Sequence, residues 1–283
     1  MMNAVDRILK TVKDAPTLPT VYTALCDAMS NPHSTANEVA KIVSMDQAST
    51  IKILRIANSS FFGFSGRIEN IQRAIVILGF NEVRNLIMAS SVMTMFSRKE
   101  STTGFKPNDF WAHSLSVGLL ARAIGKLAKC TNVENFFVAG ILHDIGKLYF
   151  YQFAHEEFVR AISSVEKEGR LIRDVEVEVF GMDHALMGSS LADHWKLPEP
   201  IRDAIHYHHF GIAGDKPDLL VASVHLGDIL ARALGLGHPG DDLVPQPSDC
   251  IWDILKLQPG MISGMVPSFL RDYDEAVSKM QLQ

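Results

Sequence analysis

An adjacent histidine and aspartate, His143 and Asp144, end an apolar run and are followed by Ile145, Gly146 and Lys147. The pair offers an imidazole nitrogen and a carboxylate at almost the same point, which suits a divalent metal that takes mixed nitrogen and oxygen ligands. A helix can also end in His-Asp before a glycine without any metal, so the dipeptide alone favours a structural role. The His143–Asp144 pair predicts a metal site only if further ligands lie nearby in the fold.

The histidines are concentrated in one part of the chain. Ten of the eleven lie between His113 and His238, and only His33 lies in the first hundred residues. The ligand candidates lie within or at the ends of segments with helical periodicity, so several helices can each point one ligand into a shared interior. In chain order these candidates are His113, His143, Asp144, His184, His208, His209 and Asp228.

Several candidates have neighbours that compete for the same role. Around His184, the carboxylates nearby in sequence are Glu176, Glu178 and Asp183. A lone histidine in an apolar helix, such as His113, is more often a hydrogen-bonded core residue than a ligand.

The cluster of His206, His208 and His209 has a similar ambiguity, because residues one or two places apart on a helix cannot all face the same way. Helix geometry alone does not choose among these three histidines. His225 lies three residues before Asp228 on the same helix face and can either ligate a metal or orient a ligand.

Composition limits the function classes. The chain has 283 residues, 47% of them hydrophobic, with a net charge of −5 and a pI near 6.1, which indicates a soluble globular protein without a broad nucleic-acid surface. The three cysteines show no Cys-x-x-Cys spacing, so neither a disulfide framework nor a thiolate zinc site is expected. The amino-terminal residues do not resemble a signal peptide and no run is long enough to span a membrane, so we expect a cytoplasmic location.

Apolar residues recur at helical spacing along nearly the whole chain, which predicts an all-α fold. Thr35 and Glu38 form a capping box, and Asn70 and Asn81 are the predicted caps of helices over residues 71–78 and 82–96. The alternation over residues 175–179 fits either a strand or a helix start. The later predicted helices cover residues 109–129, 133–151, 156–168, 177–195, 200–209 and 218–234.

Composition also suggests a division of the chain. The polar stretch over residues 97–106 predicts a boundary between an amino-terminal helical subdomain, residues 1–105, and a metal-site helical subdomain, residues 106–235. Residues 236–283, with a Pro-rich segment and two short apolar segments, are expected to pack as a helical appendage.

Four amino-terminal motifs and the later ligand series resemble known families. Residues 18–20 (Leu-Pro-Thr), 44–46 (Ser-Met-Asp), 53–59 (Ile-Leu-Arg-Ile-Ala-Asn-Ser) and 74–79 (Ala-Ile-Val-Ile-Leu-Gly) are similar to the bacterial HDOD domain. The ligand series resembles the HD superfamily of metal-dependent phosphohydrolases, and within it the longer ligand set of the HD-GYP branch. The Gly-Tyr-Pro element is absent after His209, so cyclic-dinucleotide specificity is not implied.

The resemblance implies an HD-like helical bundle after a smaller helical subdomain, and it implies roles for the candidates. The seven residues of the series would hold one or two ions of iron, manganese, zinc or nickel, with Asp144 bridging them. Asp144 and Lys147 are the implied catalytic residues, although Lys147 equally fits a helix-end cap. The resemblance also selects His208 and His209 over His206, which is then the spare. One of the pair is expected to be a ligand and the other to lie behind it or to face the substrate.

Two functions remain open from the resemblance. One is hydrolysis of a phosphoester, such as a nucleotide or cyclic nucleotide, and the other is a non-catalytic signalling module that binds a partner protein and keeps a structural or vestigial metal site. Oxygenase chemistry at a di-iron site would need the same ligands. We therefore expect a bacterial signalling protein that binds metal, with its enzymatic status open.

Overall fold

The computed structural model describes residues 15, 17–18, 20–30, 34–44, 46–59, 64, 66–96, 104–131 and 133–280. These residues form fifteen α-helices and no β-strand, which confirms the predicted all-α fold. The helices are α1 (Thr20–Ser30), α2 (Ala36–Ser44), α3 (Gln47–Ala57), α4 (Ile71–Leu78), α5 (Phe80–Met95), α6 (Pro107–Leu127), α7 (Glu134–Leu142), α8 (Ile145–Phe153), α9 (His155–Glu168), α10 (Ile172–Phe180), α11 (His184–His194), α12 (Glu199–Tyr207), α13 (Leu219–Ala233), α14 (Cys250–Leu255) and α15 (Pro259–Met280).

Two of the three predicted helix caps are confirmed. The Thr35 amide donates to Glu38 Oε2 at 2.8 Å while the Glu38 amide donates to Thr35 Oγ1 at 3.3 Å, which is the reciprocal capping box that opens α2. Asn70 Oδ1 accepts from the Arg73 amide at 2.8 Å and opens α4. The predicted cap Asn81 is wrong: α5 begins at Phe80, and its N-cap is Gly79, two residues before Asn81, with a φ of 88° that favours glycine.

Asn58, within one of the HDOD-like motifs, ties α3 to the loop that follows it. Its amide nitrogen donates to the carbonyl oxygens of Leu54 and Ile68, and its Oδ1 accepts from the Ile68 amide at 2.7 Å. No other side chain offers two donors and an acceptor on so short a stem, so this position fixes the path of the loop. Pro19 and Met45, from the other motifs, and His33 lie outside the described residues.

The helices that position the candidate site pack around α6. Helices α7 and α13 both lie against α6, and α11 packs on α8 and α12. The α6–α7 contact is close because both surfaces carry glycine: a Cβ at Gly140 would lie 2.5 Å from the Gly118 Cα. This contact keeps His113, on α6, near the end of α7.

Two predicted helices are each divided in the structure. The predicted helix over 133–151 breaks at His143 and Asp144 into α7 and α8, and the predicted helix over 177–195 is replaced by α10 and α11. Gly181 ends α10 with φ 77°, and Asp183 caps α11 by accepting from the Leu186 amide. The alternation over 175–179 belongs to α10, so it is helical.

The carboxyl-terminal part contains one short helix, α14, and one of 22 residues, α15, where two short apolar segments were expected. Helix α15 packs against both α6 and α3 and so contacts both halves of the chain. Most of the predicted boundary, residues 97–103, lies outside the described residues. Among the residues that the structure describes, no helix combines the length and apolar composition needed to cross a membrane.

Candidate metal centre

The structure brings all seven predicted ligand candidates into one interior. His113 lies in α6, His143 and Asp144 at the break between α7 and α8, and His184 at the first residue of α11. His208 and His209 directly follow α12, and Asp228 lies in α13. Six of the seven are buried, and His209 is partly buried.

The break at His143 and Asp144 lets both side chains point into this interior. His143 Nδ1 donates to the Gly140 carbonyl at 2.7 Å, which leaves its Nε2 directed into the interior. Helix α11 then approaches α8 across Gly146, where a Cβ would lie 2.1 Å from the His184 carbonyl oxygen. Without a side chain at Gly146, His184 can reach Asp144.

One group of ligand atoms forms on the α6 side. His113 Nε2 lies 3.0 Å and His143 Nε2 lies 3.8 Å from Asp228 Oδ1. The ligand atoms of these three residues all lie within 4.8 Å of one another. Two imidazoles and a carboxylate in this arrangement can hold one divalent ion.

A second group forms around His184. Its Nε2 lies 3.0 Å from Asp144 Oδ1 and 2.9 Å from His209 Nε2, while His208 Nε2 lies 3.6 Å from Asp144 Oδ1. His184, His208 and His209 form a second set of mutually close ligand atoms, and His143, Asp144 and His208 form a third between the other two. Asp144 therefore lies between the two groups, where its carboxylate can act as a ligand with either of them.

Several ligand atoms are buried without an aligned hydrogen bond. Among the described residues, none makes an aligned hydrogen bond to the Nε2 atoms of His113, His143 and His208 or to Asp144 Oδ1, although Asp228 Oδ1 and His184 Nε2 lie 3.0 Å from His113 Nε2 and Asp144 Oδ1, respectively. The Nδ1 of His208 donates to the Ile205 carbonyl at 2.7 Å, and the Nδ1 of His143 donates to the Gly140 carbonyl. Both imidazoles therefore direct their Nε2 atoms into the centre. Burying polar atoms without partners costs folding free energy, and a metal ion bound by these nitrogen and oxygen atoms would satisfy them.

The protonation states also suit metal ligands. Burial lowers the pKa of His113 to about 4 and lowers the pKa values of His208 and His209 well below their usual range. Burial alone would raise the pKa of Asp144, but His143 and Lys147 outweigh it and hold the pKa well below its usual range. At neutral pH these groups are neutral imidazoles and an ionised carboxylate, as ligands must be.

His184 differs from the other histidines. Burial would lower its pKa, but the carboxylates of Glu176 and Asp144 outweigh that effect and raise the pKa to about 9. Glu176 Oε2 accepts from His184 Nδ1 at 2.5 Å and from the His184 amide at 2.9 Å. Without metal, the imidazolium can share its Nε2 proton with neutral His209, so a metal at this position replaces a proton.

The remaining candidates have defined positions. Lys147 Nζ donates to Asp144 Oδ2 at 2.6 Å and is fully buried, so it pairs with Asp144 rather than only ending a helix. His206 Nδ1 contacts Ser189 Oγ, away from the centre. His225 uses both nitrogens, since Nδ1 donates to the His208 carbonyl and Nε2 accepts from the Ser248 amide. It orients His208 and has no nitrogen left for a metal.

Three residues that support the site, Glu176, Arg232 and Asp241, were not predicted from the sequence to do so. Glu176 appeared only as a rival of His184, whereas the structure shows it behind His184. Arg232 Nε donates to Asp228 Oδ1 at 3.0 Å, and Arg232 Nη1 donates to Asp241 Oδ1 at 2.8 Å. The spacing of four between Asp228 and Arg232 on one helix was the available signal for that pair.

Comparison with known proteins identifies a family for most of the chain. The model of the HDOD domain matches residues 15–210. An uncharacterised protein of Treponema pallidum is 26% identical over 203 residues, covering 70% of this chain and 38% of the relative. The uncharacterised protein YuxH of Bacillus subtilis is 35% identical over 78 residues, covering 28% and 19%. The chain thus matches less than half the length of these curated relatives.

Solved structures share the fold. An HDOD domain protein of unknown function from Geobacter sulfurreducens has a TM-score of 0.79 at 24% identity, covering 97% of this chain and 99% of that one. A candidate metal-dependent phosphohydrolase from Shewanella amazonensis has a TM-score of 0.67 at 18% identity, covering 99% and 100%. A candidate signal transduction protein from Marinobacter aquaeolei has a TM-score of 0.72 at 21% identity, covering 95% and 60%. With the family model matched over residues 15–210, the chain belongs to the HDOD family.

Proposed function

We propose that this chain is a metal-binding HDOD protein of a bacterial signalling system and that its metal centre hydrolyses phosphoesters of the nucleotide or cyclic-nucleotide class. One observation carries the proposal: buried Nε2 atoms of His113, His143 and His208 converge with Asp144 Oδ1, and none has an aligned hydrogen bond among the described residues. A histidine retained only for packing would have both nitrogens satisfied, as His225 does.

The donor set indicates which metals fit. Neutral imidazoles with a few carboxylates suit iron, manganese, zinc or nickel, whereas magnesium and calcium prefer oxygen ligands throughout. His113, His143 and Asp228 would hold one ion, and His184, His208 and His209 would hold a second, with Asp144 between them. We therefore propose one or two ions of these metals.

The chain's own groups have distinct tasks in the proposed reaction. A bound metal of this class supplies an activated water and stabilises charge on phosphoryl oxygens. Lys147 donates to Asp144 Oδ2 and so positions the carboxylate, whose Oδ1 would be the atom that holds a metal. The Lys147 charge also offsets negative charge that develops nearby during phosphoryl transfer.

The proposal is tested by hydrolysis of bis(p-nitrophenyl) phosphate by protein loaded with manganese, iron or zinc. Asp144→Asn should abolish the hydrolysis, while Asp193→Asn, whose side chain is 65% exposed on α11, should leave it unchanged. The double variant Asp144→Asn with Lys147→Met guards against misfolding, because it leaves no unpaired buried charge. Equal rates for wild type and Asp144→Asn would refute the mechanism.

A second function is favoured by the closure of the site. The cavity above His184 and His209 has a volume of about 10 Å³, too small for a phosphoester. A non-catalytic signalling module with a structural metal would need no access. In that case wild type and Asp144→Asn would show no hydrolysis with any of these metals, and the wild-type protein would retain its metal.

A further inference from the structure

A strap, the loop over residues 237–248, covers the candidate metal centre. At one end the His238 amide donates to the Asp109 carbonyl at 2.9 Å, and a Cβ at Gly237 would lie 2.1 Å from the His113 amide nitrogen. At the other end the Ser248 amide donates to His225 at 3.0 Å. The strap is therefore attached on both sides of the site.

Between these attachments, the strap places one buried carboxylate beside the site. Asp241 is 4% exposed and, together with Pro245, lines the small cavity above His184 and His209. Its carboxylate is fully occupied with donors. Oδ1 accepts from Arg232 Nη1 at 2.8 Å and from the Leu243 amide at 3.1 Å, and Oδ2 accepts from the Ile172 amide at 3.2 Å.

This set of donors is the kind that binds a phosphate. Ile172 is the first residue of α10, where the amide groups are free and the helix dipole favours an anion. Arg232 adds a buried guanidinium, the side chain best suited to paired phosphate oxygens. Two of the three donors come from outside the strap, so they would remain in place if Asp241 left.

The charges around Arg232 show what must replace Asp241. Arg232 also pairs with Asp228, which belongs to the candidate metal centre and stays when the strap moves. Removing Asp241 alone would leave the Ile172 amide without its acceptor and Arg232 Nη1 with only the Leu243 carbonyl at 3.2 Å, which is unfavourable in a buried place. An incoming anion with several oxygens satisfies both groups.

We propose that Asp241 occupies an anion site that receives the phosphoryl group of the substrate, so that the strap inhibits the centre by imitating its ligand. Opening moves Asp241 away, and the phosphate then binds Arg232 and the amino terminus of α10 beside His184 and His209. Gly240, at φ 115°, directly precedes Asp241 and gives the strap a backbone conformation that other residues rarely adopt. The identity of the anion as substrate rests on the proposed phosphoesterase function, whereas the anion site itself does not.

The test is titration calorimetry of the full-length protein with inorganic phosphate after treatment with a chelator, so that binding to metal is excluded. We expect Asp241→Ala to bind phosphate at least tenfold more tightly than wild type. Asp241→Asn keeps the side-chain volume but removes the charge, so its phosphate affinity should lie between those of wild type and Asp241→Ala. It replaces the alanine variant in the test if that variant does not fold. Asp242→Ala, whose native side chain is 96% exposed on the strap, should behave as wild type.

The double variant Asp241→Ala with Arg232→Met should lose the gained phosphate binding. Binding by Asp241→Ala and Asp241→Asn no tighter than that of wild type would overturn the proposal, as would binding that persists without Arg232. The outcome is independent of catalysis. Phosphate binding by the variants combined with no hydrolysis by any metal-loaded form would keep the anion site and reject the proposed enzymatic function.

Discussion

Replacing Arg232 with methionine should destabilise the protein by about 3–5 kcal/mol, because the change leaves two buried carboxylates without their shared cation. Arg232 donates to Asp228 and to Asp241, and the exposed fraction of each of these three side chains is 5% or less. Burial alone would raise the pKa of Asp228, and Arg232 is the largest influence that holds it down. The loss is measured as the free energy of unfolding by urea at pH 7.

The control for this change is Arg202→Met. Arg202 pairs with Asp203 and Glu199, but its side chain is 34% exposed, so its ion pairs contribute less than about 1 kcal/mol. The double variant Arg232→Met with Asp241→Asn should cost less than the sum of the single changes, since it removes one of the unpaired charges. An Arg232→Met protein within about 1 kcal/mol of wild type would contradict this account of the buried pair.

Glu176→Gln should change how metal affinity depends on pH. In the wild-type protein a metal at His184 must displace a proton from a group whose pKa is about 9, whereas the neighbouring His208 and His209 are already neutral. Affinity should therefore rise by roughly tenfold per pH unit between pH 7 and 9. Glutamine can still accept the hydrogen bond from His184 but lacks the charge, so the pKa of His184 falls and the slope flattens.

The size of the effect also depends on pH. Loss of a carboxylate behind a ligating histidine weakens metal binding by roughly 10–100-fold, and this loss should appear in full at pH 9. Toward pH 7 a metal displaces the His184 proton more easily in Glu176→Gln than in wild type, and this offsets the weaker binding. The metal affinities of the two proteins therefore converge. Glu178→Gln is the matched control, since Glu178 lies on the same helix with a 61% exposed side chain paired to Arg170. Parallel pH profiles for wild type and Glu176→Gln, measured in chelator-buffered zinc or manganese, would refute the role of Glu176.

The residues that bear chemistry could be predicted from the sequence. His143 and Asp144 stand out by type, and the clustering of the other histidines in helical segments predicts a shared interior, where the structure does place them. Their role as ligands stays a prediction. The all-helical fold was predictable for a related reason, because apolar residues recur at helical spacing on both sides of the site.

The supporting residues were not predictable, because their partners are set by tertiary packing. Asp241 meets the Ile172 amide across 69 positions, and nothing in the strap's local composition indicates that contact. The break between α7 and α8 was missed since neither His143 nor Asp144 is a helix breaker. The break occurs where these two polar side chains point into the centre. A prediction from hydrophobic periodicity treats the apolar run around them as one continuous helix.

Elemental analysis of the purified, untagged protein tests the central claim most directly. Wild type should contain iron, manganese, zinc or nickel at one to two ions per chain, and His143→Ala and Asp144→Ala should lose most of it. His155→Ala should keep the metal, because His155 Nδ1 donates to the Tyr151 carbonyl outside the centre. A wild-type protein that contains no such metal and takes up none when it is added would contradict the account.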